Sequence, residues 1–166
     1  GLVMIYIMFR FTGKFAIGAV TALVHDVLVV IGAFALFQWT FDLPVLAAVL
    51  AVIGYSLNDT IVVSDRIREN FRLIRRTQPV DVVNTSLNQT LGRTVVTSLT
   101  TLIVLGALRV FGGELIAGFS TALIIGVIVG TYSSIYVAAN VLMAMGINRE
   151  DLLLPEKEGA TDDGRP

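Results

Sequence analysis

Asp59, Arg93 and the pair His25-Asp26 are ionisable residues set inside long apolar runs. Asp59 lies in residues 43–63, Arg93 in 87–110 and His25-Asp26 in 15–37. A charge at the centre of a membrane helix costs roughly 2.5–3.5 kcal/mol on insertion scales. Such residues persist where they face a partner or water, so by default they mark an ion or proton path. Asp59 sits about one helical turn, roughly 6 Å, inside the end of its run. Arg93 sits a comparable distance inside the start of the next, so antiparallel neighbouring helices would bring the two to one depth. Low dielectric makes their attraction large and their desolvation expensive. Burial and an adjacent arginine push a carboxylate's proton affinity in opposite directions. Two readings follow. A permanent pair is structural; a pair that opens when Asp59 takes a proton is a switch.

The surroundings add detail. Ser56, Asn58 and Thr60 flank Asp59, and Thr94, Thr97, Ser98, Thr100 and Thr101 follow Arg93. A single hydroxyl in a membrane helix satisfies its own backbone. This density predicts a hydrated cavity or a polar helix contact. The candidate proton path is therefore Asp26, His25, Asn58, Thr94, Thr97 and Ser98. Histidine titrates near neutrality and suits a relay, while the alternative for His25-Asp26 is a polar contact that fixes helix packing. There is one His and no Cys. Neither a metal site nor a cofactor is expected. No phosphate-binding loop or Ser-His-Asp arrangement occurs, so an enzyme is not expected.

The elements that must position these residues are membrane helices. The 166-residue chain is 55% hydrophobic and 15% charged, against about 25% charged for a soluble domain. Its mean hydropathy is +0.80. Runs of about 20 apolar residues suit a bilayer crossing. Full spans are expected at 15–37, 43–63, 87–110 and 114–145. Residues 1–9 read as the end of a helix that begins before Gly1. Residues 1–147 then form one helix bundle, and 148–166 a polar, disordered tail. Arg10, Lys14, Arg66, Arg68, Arg72, Arg75, Arg76, Arg149, Lys157 and Arg165 fall on one side and Arg109 on the other. The positive-inside rule puts the first turn, the central linker 64–86 and the C-terminus in the cytoplasm. Within the linker, Ile67, Phe71 and Ile74 recur at helical spacing between arginines, which suits an amphipathic helix on an anionic membrane surface. Nucleic-acid binding is not expected, because membrane helices abut the basic cluster. Gly126 and Gly130 form a small-xxx-small pair for close helix packing, and Gly54 is a further candidate.

Several motifs carry a family resemblance: ALVHDV at 22–27, GYSLNDTIVVSDRIREN at 54–70, SLNQTLGRT at 86–94, FGG at 111–113 and GTYSSIYVA at 130–138. The chain resembles the SecF side of the SecD/SecF family of bacterial protein export, within the resistance-nodulation-division (RND) superfamily. The resemblance runs to about Glu150. It implies an all-α membrane protein with an RND-type bundle, here the end of helix 2 through helix 6. It implies an auxiliary subunit of the Sec translocase in the bacterial inner membrane, using the proton motive force with SecD. The partners implied are SecD, the SecYEG channel, YajC, YidC and the unfolded preprotein. It assigns proton coupling to Asp59 and Arg93. Two alternatives stand beside it: half of another RND-type, proton-driven exporter of small molecules or lipids, and a scaffold whose buried charges only orient helices.

Overall fold

The computed structural model of the protein describes residues 13–73 and 78–146. These form four helices: α1 (Gly13–Leu36), α2 (Leu43–Leu73), α3 (Pro79–Phe111) and α4 (Glu114–Ala144). Each is long and apolar enough to cross a membrane. The expected partial span 1–9, the tail 148–166 and Ile74 lie outside the described residues.

The turns follow from local chemistry. Gln38 takes a positive φ of 53°, and the Trp39 amide donates back to the Phe34 carbonyl at 3.0 Å. The Trp39 ring then meets Phe34 edge-on, with centroids 5.4 Å apart. The Asp42 carboxylate accepts from the Val45 amide at 3.0 Å, satisfying an orphan donor at the start of α2. Between α3 and α4, Gly113 adopts φ 75°, a conformation costly for any side chain.

α4 is the hub of the bundle. It packs on α1, α2 and α3, and α2 also packs on both α1 and α3. Lipid offers no hydrophobic drive between helices, so close backbone approach and polar contacts must supply cohesion. The buried face of α4 fits that demand: Ser120, Ala122, Gly126, Gly130, Ser133, Ser134, Ala138 and Ala139 are small. A side chain on Gly126 would collide with Val52, since an added Cβ would lie 2.0 Å from it. Gly130 faces Ser56 in the same way, at 3.3 Å. Gly54 does not join this contact. It is exposed, and an added Cβ there meets nothing within 4 Å. Two residues beyond Val52 turn it about 200° around the helix, away from α4.

The central linker departs from expectation in its placement. It is helical and amphipathic, but Ser64 to Leu73 continue α2 without interruption. The buried stripe Val45, Val52, Ser56, Thr60, Val63 runs straight on into Ile67 and Phe71. Those two side chains pack with Val82 and Val83 of α3 in a protein core, not on a lipid surface. With 31 residues, α2 is about 46 Å long, more than a hydrocarbon core of about 30 Å requires. Pro79 opens α3, and Gln78 before it is extended, as the proline ring demands.

Candidate functional site

α2 and α3 form an antiparallel pair whose register is set by polar clamps. The Tyr55 hydroxyl donates to Ser98 Oγ at 3.1 Å. Further along, Arg66 Nε donates to Gln89 Oε1 at 2.7 Å, and the buried Asn70 amide donates to Ser86 Oγ at 2.8 Å and Gln89 Oε1 at 2.9 Å. Asp59 and Arg93 lie between these clamps and are therefore at one level, as their spacing predicts.

The two do not close a salt bridge. Arg93 is near enough to act electrostatically on Asp59. Asp59 is 5% exposed, and its Oδ2 has no hydrogen-bond partner among the described residues. Arg93 is exposed and borders an open cleft of about 320 Å³ lined also by Val62, Asp65, Arg66, Glu69, Gln89 and Thr90. The arrangement is thus a buried acid with an unsatisfied oxygen beside a guanidinium on the outer wall.

The hydroxyl-rich stretch divides. Thr97, Thr100 and Thr101 donate to carbonyls of their own helix. Thr94 is buried at 2%. Ser98 makes the predicted helix contact, meeting Thr131 Oγ1 of α4 at 2.6 Å as well as Tyr55. Asn58 is exposed and points away from the buried stripe that holds Asp59.

Asp26 occupies a second polar centre. It is 1% exposed and binds across three helices. Its Oδ2 accepts from Ser56 of α2 and, at 2.8 Å, from Ser133 of α4. Its Oδ1 lies 3.1 Å from His25 Nδ1. Sequence reasoning named Asp26 but missed Ser133, which is 107 residues away; its place just after the small-residue pair Gly126 and Gly130 was the available signal.

A family profile described as "Protein export membrane protein SecD/SecF, C-terminal" matches residues 1–148. The chain belongs to the SecD/SecF protein-export family. It is 53% identical over 163 residues to the protein translocase subunit SecF of Pseudomonas aeruginosa, covering 98% of this chain and 53% of that protein. It is 52% identical over 160 residues to the SecF of Escherichia coli O157:H7, covering 95% and 50%. A crystal structure of SecDF, described as a translocon-associated membrane protein, from Thermus thermophilus aligns with a TM-score of 0.84 and 48% identity, over 87% of this chain and 20% of that one. The chain spans about half the length of the curated SecF relatives it matches. Family membership and the four apolar helices together make this a multi-pass membrane protein.

Proposed function

We propose that this chain is the membrane-embedded part of an auxiliary Sec translocase subunit, which works with SecD to turn proton entry into preprotein export. The relatives above are named as translocase subunits, which favours this reading over an exporter of small molecules or lipids. One geometric observation supports the proton chemistry: the buried Asp59 oxygen that has no hydrogen-bond donor among the described residues. An ionised carboxylate left so is expensive in low dielectric. A proton on Asp59 removes that cost and cancels its attraction for Arg93. Arg93 is then left on the cleft wall that also carries Asp65 and Glu69. The α2–α3 pair can shift, and no covalent chemistry is needed.

The wider assignments belong to the same proposal. Arginines at the α2 end favour a cytoplasmic location for that end and, by the alternation of helices, for the C-terminus. The location is the bacterial inner membrane. SecD, the SecYEG channel, YajC and YidC are the proposed protein partners, and the unfolded preprotein is the cargo. The test is Asp59→Asn in the full-length protein with SecD, in vesicles with an imposed proton gradient. The gradient-dependent part of export should vanish while the complex stays at wild-type amount. Undiminished gradient-dependent export overturns the mechanism. Replacing Asp59 and Arg93 together by leucine addresses the scaffold reading, which requires export to survive.

A further inference from the structure

Asp26 lies one helix away from the proposed proton-binding pair, and its contacts are unusual for a residue in an apolar run. Ser56 from α2 and Ser133 from α4 both donate to its Oδ2, while His25 meets its Oδ1. Gly130 backs the contact: a Cβ there would lie 3.3 Å from Ser56 Cβ and 3.6 Å from Asp26 Oδ2, so the α4 backbone comes close to both. Hydrogen bonds to an ionised group are shorter and stronger than neutral ones. Buried networks with every member satisfied specify one arrangement. The partners that α2 and α4 bring are neutral hydroxyls; His25, on α1 itself, is the titratable group in contact. Ser56 precedes Asp59 by three residues and so sits on the same helix face. On the neighbouring position, Tyr55 binds Ser98, which binds Thr131 of α4. One polar layer therefore links all four helices a single turn from Asp59.

We propose that Asp26 is a positioning residue for Asp59: through Ser56 and Ser133 it fixes the rotation and height of α2, and so holds the Asp59 carboxylate within reach of Arg93. The inference rests on the proton-coupling reading above. When Asp59 changes charge, α2 can move only against this anchor, which makes the α1–α4 side the fixed frame and the α2–α3 side the moving part.

The experiment uses the full-length protein with SecD in vesicles, measuring gradient-driven export as a function of pH. Ser56→Ala removes one donor without touching Asp59. Export should fall about tenfold, the loss of one charge-assisted hydrogen bond. The pH profile should also move, because Asp59 no longer stands in its set position towards Arg93. Ser133→Ala should displace the profile likewise and covers the case in which Ser56→Ala fails to assemble. A wild-type pH profile in both alanine variants overturns the inference. So does a reduced level with an unmoved profile, which is the mark of simple packing loss. Asp59→Asn runs beside them. If it leaves gradient-driven export intact, the proton reading itself fails; if it abolishes export while the serine variants keep the wild-type profile, the anchor alone fails.

Discussion

Two buried aspartates in this chain have opposite surroundings, and that contrast predicts opposite responses to removal. Asp26 accepts hydrogen bonds from two other helices. Asp59 has an oxygen that accepts none among the described residues. Asp26→Leu strands the Ser56 hydroxyl, and Ser133 keeps only its longer bond to the Gly130 carbonyl at 3.2 Å. An unsatisfied buried donor costs about 1–3 kcal/mol, so Asp26→Leu should destabilise the bundle by roughly 2–4 kcal/mol. Asp59→Leu removes an unsatisfied group and should be near neutral or stabilising. Thermal unfolding of the full-length complex in detergent ranks the two; a larger loss for Asp59→Leu contradicts the assignment. Spacing made Asp59 and Arg93 legible from sequence, because depth along a helix is a matter of counting. The partners of Asp26 were not, because rotation about the helix axis decides which hydroxyl on another helix it meets.

The same distinction holds for whole helices. Span edges at Leu43 and Glu114 were legible from Pro, Gly and charge punctuation. The linker's helical stripe was legible too, but not what covers it: Ile67 and Phe71 would suit lipid or protein equally, and Val82 and Val83 supply protein. Glycines show this again. Gly54 and Gly126 look alike in sequence, yet one faces outward and the other touches Val52. Gly126→Ala should push α4 from α2 and cost about 1–3 kcal/mol, the usual range for overpacking. Gly54→Ala should be neutral or mildly stabilising, by up to about 1 kcal/mol of helix propensity. Melting temperatures of the two variants decide it, and equal losses would mean that the close α2–α4 approach is wrong.

At the scale of the molecule, the remaining asymmetry is charge across the bilayer. Arg66, Arg68 and Arg72 stand at one end of the bundle, with Arg109 at the other. The α2–α3 connection and the α1–α2 turn must then lie on opposite sides of the membrane, since α2 crosses between them. The side with more arginine should be cytoplasmic, because basic residues near span ends resist translocation. The chain contains no cysteine, so single thiols report position cleanly. Gln78 and Thr40 are both exposed, one in each connection. Gln78→Cys should react with a membrane-impermeant maleimide only from the cytoplasmic face, and Thr40→Cys only from the opposite face. Labelling of both from one face would break the crossing of α2. Labelling with the sides exchanged would overturn the proposed orientation, because Arg93 and its cleft would then lie at the end away from the cytoplasm.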